Sequence, residues 1–219
     1  PAQLDGQVGQ RNIAVHGVAV PATAHPSDRL PIVKQGLPAV QHAGIGVDDQ
    51  GAHLLYRPLF LDAGHRVTPD EIAVVSFSGQ MNGALIVDER GVPLRPSIIW
   101  ADLRATAQAQ FIQERCGEVE VYRLTGNRVS PSYTAAKLLW IKENQPDLFR
   151  RARKVLQAKD YAAFLLTGIA ATDYSDASLT QLLDLENRCW AGDMLERLGL
   201  SFSLLPELHA SATVIGYVT

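Results

Sequence analysis

The 219-residue chain has little of several features that define common protein classes. Its two cysteines, Cys116 and Cys189, lack CxxC spacing and a nearby histidine pattern, which argues against a disulfide framework and a zinc site. The longest apolar run, "YAAFLLTGIAA", is too short and interrupted to span a bilayer. The formal net charge is -3, with no basic domain to attract nucleic acid or an anionic membrane. These absences predict a cytoplasmic protein without nucleic-acid or membrane partners.

Several catalytic motifs are missing as well. The histidines form no HxxxH or HExxH pair, so we predict no metal ligands. Neither a GxSxG nucleophile elbow nor a GxxxxGK[ST] phosphate loop is present. The commonest hydrolases and P-loop enzymes are therefore excluded.

Composition divides the chain near residue 65. Five of the six histidines lie in the first 65 residues, no glutamate precedes Glu71, and Lys34 is the only lysine before Lys137. The early segment holds two weak candidates for edge strands, "IVKQGLPAV" and "AHLLYRPLFL". We expect residues 1–61 to form a divergent or irregular N-terminal segment and residues 62–219 to form the regular domain.

The strand signals begin after that boundary. The apolar run "EIAVVSF" predicts a strand buried on both faces. "ALIVDERGVPL" predicts a hairpin that turns at Asp88 to Gly91, and "SIIW" a second short buried strand. "KVL" predicts one more strand. Together with the helices below, these strands predict an α/β domain with a mixed sheet.

Helix signals alternate with the strands. The first helix should bury Ala107, Phe111, Ile112 and Cys116 on one face. "SYTAAKLLWIKEN" is helical and should be closed by Pro146. The remaining signals predict that Asp160 caps the helix "YAAFLLTG", that Gly168 ends it, and that Gly199 ends the helix "DMLERLG".

The loop "SGQMNG" is the first candidate for a ligand site. Its flanking glycines allow a sharp turn and a close backbone approach to a ligand. Gln80 and Asn82 carry amides that donate and accept hydrogen bonds, which suits a polyhydroxylated molecule. An ordinary turn at a strand end explains the same pattern.

Two further clusters are open to two interpretations each. In "WADLR", Trp100 offers an apolar face to a sugar, and Asp102 and Arg104 either bind hydroxyls or pair with each other. Asp102 is equally suited to cap the helix that follows. In "ATDYSDAS", Asp173 and Asp176 suit metal binding or acid/base chemistry, but turns explain the same composition.

Five stretches, taken in order and spacing, resemble the FGGY family of carbohydrate kinases, and xylulokinases above all. They are "SFSGQMNG", "PSIIWADLR", "YRLTGNRVSPSYTAAKLLWIKENQPDLF", "VLQAKDYAAFLLTG" and "ATDYSDAS". The resemblance implies two actin-like lobes of the ribonuclease-H type, which transfer the γ-phosphoryl group of ATP to a sugar hydroxyl. Residues 62–219 look like most of the first, sugar-binding lobe, whose mixed sheet carries flanking helices.

The resemblance also implies a set of substrate-binding residues. Met81 and Asn82 fall where the family contacts its sugar, although xylulokinases commonly have histidine at the position of Asn82. The tryptophan, acid and arginine of "WADLR" match a cluster beside the same pocket. The complete implied set is Gln80, Met81, Asn82, Trp100, Asp102, Arg104, Ser132 and Tyr133.

Two departures from the family concern phosphoryl transfer. The family's Asp-x-Gly-Thr phosphate turn has no match, and "IGVDDQG" is only a faint echo. The catalytic aspartate of the family lies beyond "TVIGYVT", and Asp102, Asp173 and Asp176 are not at its position. We therefore expect no catalytic residue and no metal ligand in this chain. ATP and magnesium are expected for the complete enzyme, which would add a C-terminal lobe.

The leading hypothesis is the N-terminal lobe of an ATP-dependent kinase for a ketose or polyol such as D-xylulose, inactive when alone. One alternative is a non-catalytic sugar-binding or pseudokinase module. Another is a structural remnant whose polar clusters only end strands. The sequence leaves a homodimer open.

Overall fold

The structure, a computed structural model, describes residues 14–17 and 74–218. The candidate edge strands in the N-terminal segment lie outside the described residues. The strands are β1 Ala14–Gly17, β2 Val74–Phe77, β3 Leu85–Val87, β4 Lys154–Leu156, β5 Ala171–Asp173, β6 Leu183–Asp184, β7 Cys189–Trp190, β8 Glu207–His209 and β9 Val214–Tyr217. The helices are α1 Thr106–Cys116, α2 Glu118–Thr125, α3 Thr134–Asn144, α4 Pro146–Arg151, α5 Ala158–Thr167, α6 Tyr174–Ser178 and α7 Gly192–Leu198.

Short strands are distributed over several small sheets. In the three-stranded sheet, β1 lies between β2, its parallel neighbour, and β9, its antiparallel neighbour. The strand pairs β3–β4 and β6–β7 are antiparallel, and β5–β8 is parallel. The predicted mixed α/β architecture is confirmed. In the described part of the chain, no helix has the length and apolarity to cross a membrane.

The main core is built around α3, whose sequence "TAAKLLWI" is apolar at nearly every position. Helices α1 and α7 contribute Ile112, Met194, Leu195 and Leu198 to the same core. Fully buried members include Ile98, Ile112, Leu138, Ile141, Leu182 and Leu183. This packing fixes the start of α3, where the candidate site lies.

Two strand predictions are wrong in detail. The described part of "EIAVVSF", β2, alternates between exposed and half-buried residues, with Val74 48% exposed, so it is not buried on both faces. "SIIW" is not a strand, since only Ile98 forms an isolated bridge, to Ala84. The chain turns directly afterwards, where the Asp102 N–H donates to the Ile99 carbonyl at 3.1 Å. Ile99 is therefore exposed.

The turn predicted at Asp88 to Gly91 is confirmed. Asp88 Oδ1 accepts hydrogen bonds from the N–H groups of Arg90 and Val92, both at 2.9 Å. Gly91 has a φ of +76°, and a Cβ there would lie 2.2 Å from the Phe164 ring. Only glycine suits such a site.

Helix boundaries and faces also differ from the predictions. On α1, Ile112 and Cys116 are buried as expected, but Ala107 and Phe111 are exposed. Gln108 and Ala109 are buried instead, so the buried face is rotated. The helix has few strongly apolar residues, and its packing against α3 rather than its own pattern selects the buried face. Pro146 does not merely close α3, because it opens α4.

Asp160 is not the cap of α5, contrary to prediction. The helix begins earlier, at Ala158, with Gln157 as its N-cap. Asp160 lies at the third helical position, and its carboxylate accepts a hydrogen bond from the Gln157 N–H at 3.3 Å. The two form a capping box, which satisfies backbone donors at both positions. The predicted helix ends at Gly168 and Gly199 are confirmed, both with left-handed backbones.

Candidate functional site

The loop Gly79–Gly83 is held between the starts of two helices. At one end, a Cβ on Gly79 would lie 3.0 Å from the Lys159 backbone nitrogen, so the loop backbone lies against the first turn of α5. At the other end, the Gly83 carbonyl accepts a hydrogen bond from Thr134 Oγ1 at 3.0 Å. The flanking glycines thus permit a close backbone approach, as predicted, but to other protein elements.

Asn82 is the most constrained residue of this loop. Its φ of +60° is in the left-handed region, which asparagine adopts more readily than most residues. Its carbonyl accepts a hydrogen bond from Lys137 Nζ at 2.7 Å. Its side-chain Oδ1 is buried and has no partner among the described residues. Gln80 and Met81 are exposed beside it.

Asp102 and Arg104 form a bidentate ion pair. Arg104 Nε donates to Asp102 Oδ1 at 3.0 Å, and Arg104 Nη2 donates to Asp102 Oδ2 at 2.6 Å. These hydrogen bonds lower the pKa of Asp102 and raise that of Arg104. The capping alternative for Asp102 is excluded, because α1 begins at Thr106 with Ala105 as its N-cap.

The Trp140 ring connects this ion pair to α3. The Arg104 guanidinium carbon lies 4.8 Å from the ring centroid, and that of Arg95 lies 5.6 Å away. Burial, and then the nearby Arg104, lower the pKa of Arg95. The negative charge of Asp102 favours the charged form of both arginines, and its carboxylate is hydrogen-bonded to Arg104.

Lys137 joins the predicted residues on the loop to those on α3. The residue is fully buried, and its Nζ donates to the carbonyls of Asn82 and Ser132. Burial lowers the pKa of Lys137 to about 8, and the negative charge of Asp102 acts in the other direction and raises it. The structure therefore gathers Asn82, Ser132, Asp102 and Arg104 around the first turns of α3.

The other predicted residues are more peripheral. Trp100 is 55% exposed, which leaves its ring free to meet a ligand. Tyr133 is the N-cap of α3, and its hydroxyl donates to Asn127 Oδ1 at 3.2 Å. Sequence reasoning missed Lys137 and Trp140. A lysine flanked by apolar residues in "TAAKLLWI" was the available signal for the first.

A second polar cluster is buried at the start of α5. Lys159 Nζ lies 2.7 Å from Asp160 Oδ1, 3.4 Å from Asp173 Oδ1 and 3.2 Å from Asp176 Oδ2. Burial alone would lower the pKa of Lys159, but the three carboxylates raise it. Burial raises the pKa of Asp176 to about 6. Asp173 also caps α6 by accepting from the Asp176 N–H at 3.0 Å, as its turn interpretation predicted.

The acidic cluster does not fit a magnesium ion. Within residues 14–17 and 74–218, no group of three or more histidine, cysteine, aspartate or glutamate side chains is arranged to hold a metal. The Lys159 ammonium already lies among the three carboxylates.

Comparison with known proteins defines the class to which this lobe belongs. The N-terminal domain of the FGGY family of carbohydrate kinases matches residues 61–219, so the chain belongs to this family. A xylulose kinase of Lactococcus lactis is 36% identical over 148 residues, which are 68% of this chain and 29% of that protein. The resemblance stated from the sequence motifs is confirmed.

Solved structures agree with the sequence comparison. A ligand-bound xylulose kinase from Lactobacillus acidophilus is 31% identical with a TM-score of 0.58, over 62% of this chain and 28% of that one. A gluconate kinase from the same species is 30% identical with a TM-score of 0.62, over 67% and 30% of the two chains. The actin-like lobe implied by the resemblance is confirmed. The chain spans about 30% of the length of the curated relatives it matches.

Proposed function

We propose that this chain is the sugar-binding lobe of an ATP-dependent carbohydrate kinase that acts on a ketose such as D-xylulose. The observation that carries the proposal is Asn82 Oδ1, which is buried, has no hydrogen-bond partner within the described ranges, and belongs to a loop that Lys137 joins to α3. Buried polar atoms normally have hydrogen-bond partners, so an orphan acceptor at a loop suits a ligand donor. A sugar hydroxyl is such a donor.

The surrounding groups complete a site for a polyhydroxylated ligand. Asp102 stays ionised because Arg104 lowers its pKa, and its side chain is only 24% exposed. An ionised carboxylate accepts hydrogen bonds from hydroxyls more strongly than a neutral group does. The exposed Trp100 ring offers an apolar face to the C–H side of a sugar. We assign Gln80, Met81, Ser132 and Tyr133 to the rim of this site.

In this proposal the described residues bind and orient the sugar, and the complete enzyme carries out the phosphoryl transfer. Such transfer depends on positioning and electrostatic stabilisation of the transferred group. ATP would supply the phosphoryl group, and we assign it to the complete enzyme. We assign no general base among Asp102, Asp173 and Asp176, since Asp102 is engaged by Arg104 and the other two surround Lys159.

The decisive experiment is a sugar titration of the ¹⁵N-labelled chain, followed by the backbone amides of residues 79–83. D-Xylulose, D-ribulose, glycerol and D-gluconate form the panel, and we expect D-xylulose to bind best. Asn82→Gly keeps the left-handed backbone and removes only the amide, so it should weaken binding about 10-fold, equivalent to about 1.4 kcal/mol. Asn187→Gly, in an exposed turn, is the matched control.

Wild-type affinity in Asn82→Gly would overturn the role of Asn82. Loop amides that respond to none of the four ligands would overturn the sugar site. A coupled ADP-release assay with the same pentuloses tests whether this chain only binds the sugar or also transfers the phosphoryl group. Turnover above background that disappears in Asp102→Ala would show that this chain carries a complete catalytic site.

A further inference from the structure

Lys137 is unusual in where it places its charge. It lies in the second turn of α3, in a segment that is otherwise apolar core, and its side chain is fully buried. Its Nζ donates to two backbone carbonyls, those of Asn82 and Ser132, which are separated by 50 positions in the sequence. Two segments that are distant in the chain are therefore joined by one ammonium group.

This ammonium has no ion-pair partner among the described residues. Asp102 is the carboxylate whose field reaches Lys137, and it is already paired with Arg104. Burying an unpaired charge costs several kcal/mol, and an apolar side chain of similar volume would avoid that cost. A purely structural role would therefore be met more cheaply by methionine or leucine. Costly buried charges concentrate at functional sites.

The contacts of Lys137 determine the conformation of Asn82. The residue has a φ of +60°, and its carbonyl is fixed by Lys137 while the next carbonyl, of Gly83, is fixed by Thr134. These two hydrogen bonds oppose rotation of the peptide groups on the C-terminal side of Asn82, and such a rotation would move its side chain. Asn82 Oδ1 remains buried and without a partner in this arrangement.

We propose that Lys137 is a positioning residue for substrate recognition, whose buried ammonium holds the Asn82 loop against the start of α3 and thereby aims Asn82 Oδ1 at a ligand hydroxyl. The consequence for ligand binding rests on the function proposed above. The effect of Lys137 on the conformation of the loop does not depend on that function, and it is measurable without any ligand.

The charged groups around Lys137 define how it responds to pH. Asp102 favours the ammonium form, and burial opposes it, which places its pKa at about 8. Arg104 and Arg95 lie beyond Asp102, on the Trp140 ring. Loss of the proton leaves a neutral amine, whose hydrogen bonds to carbonyls are about half as strong as those of an ammonium. The hold on the loop should weaken as the pH rises through 8.

The first experiment follows the loop amides by ¹⁵N NMR between pH 6.5 and 9.5 without ligand, in a Cys189→Ser background that removes the exposed thiol. Asn82 and Gly83 should titrate together with a midpoint near pH 8. The midpoint should vanish in Lys137→Met. Lys142→Met is the matched control, because Lys142 also lies on α3 and donates to a carbonyl, that of Gly199, at 2.7 Å. Its loop amides should titrate like those of the wild type.

The second experiment measures D-xylulose affinity by the same amides at pH 7.0 and 9.5. We expect Lys137→Met to bind about 10-fold more weakly at pH 7.0, and wild-type affinity to fall about threefold at pH 9.5 while that of the variant stays constant. A merely structural lysine would give no such pH profile.

The outcomes separate the two proposals. Loop amides of the wild type that do not titrate near pH 8 overturn the positioning role, even if Lys137→Met does not fold. If the Asn82 and Gly83 amides titrate near pH 8 but do not respond to sugar, the effect of Lys137 on the loop is supported and the proposed function is overturned. Wild-type affinity in folded Lys137→Met overturns the role in recognition.

Discussion

Lys137 and Lys159 are both buried lysines that contact opposite ends of the Gly79–Gly83 region, yet their surroundings differ. Lys137 donates to two neutral carbonyls, and burial lowers its pKa to about 8. Lys159 lies among three carboxylates, which outweigh burial and raise its pKa. Burial alone therefore does not determine the state of a lysine. The groups that surround the buried ammonium decide whether its pKa is lowered or raised.

The difference also separates two kinds of task. The Lys159 cluster connects the start of α5 to β5 and α6, and its one ammonium partly offsets the negative charge of three carboxyl groups. Such a cluster fixes the fold, and removing one member leaves the rest uncompensated. Lys137 carries an uncompensated charge next to exposed loop residues. This contrast supports the proposed positioning role of Lys137.

The largest effect should come from Lys159→Met. Removing the ammonium leaves Asp160, Asp173 and Asp176 buried together, so we expect the free energy of unfolding at pH 7 to fall by about 3–5 kcal/mol. Urea denaturation monitored by tryptophan fluorescence measures it. Lys142→Met, which removes a half-buried lysine from α3, should cost under about 1.5 kcal/mol. Equal losses in Lys159→Met and Lys142→Met would show that the three carboxylates do not make Lys159 more important for stability than a lysine with one carbonyl partner.

A smaller effect concerns the pH dependence of the Lys159 cluster. Burial raises the pKa of Asp176 from 3.8 to about 6, so between these values the folded protein holds a proton that the unfolded chain has lost. This carboxyl therefore lowers the free energy of unfolding as pH rises from about 4 to about 6, and Asp176→Asn removes that contribution.

The variant should accordingly gain about 2 kcal/mol relative to the wild type between pH 4 and pH 7. Denaturation curves at four pH values across that range provide the measurement. Asp193→Asn, at an exposed position in the first turn of α7, is the control. A stability difference between Asp176→Asn and wild type that does not change with pH would mean that Asp176 is ionised throughout.

The comparison of the two lysines also shows what the sequence was able to predict. The loop at Asn82 and the "WADLR" cluster were identified because their glycines and polar side chains interrupt apolar runs. Lys137 was not, because its apolar neighbours in "TAAKLLWI" mark the lysine as unusual but do not tell whether its ammonium reaches solvent or turns inward. The distinction depends on the carbonyls of Asn82 and Ser132, which tertiary packing brings to it.

The same limit explains the errors in the fold. The described strands have two to four residues each, too few for a period-2 pattern to distinguish a half-exposed strand such as β2 from a fully buried one. The buried face of α1 was misjudged because Gln108, a polar residue, is buried where it donates to Glu143 at 2.5 Å. Helix ends marked by Gly168 and Gly199 were predicted correctly, since the left-handed stop is a local property of the backbone.

The smallest effect should come from Asp102→Asn, which tests whether Lys137 is as weakly compensated as the comparison requires. Asp102 and Arg104 are partly exposed, so their ion pair should contribute only about 0.5–1 kcal/mol to stability. The substitution also removes the carboxylate that favours the charged form of Lys137. The titration midpoint of the Asn82 and Gly83 amides should therefore move to lower pH. Asp147→Asn, which breaks the exposed ion pair with Arg150 on α4, should leave the midpoint unchanged. A midpoint that stays in place in Asp102→Asn would show that the charge of Asp102 does not reach Lys137, and that burial alone shifts the pKa of this lysine.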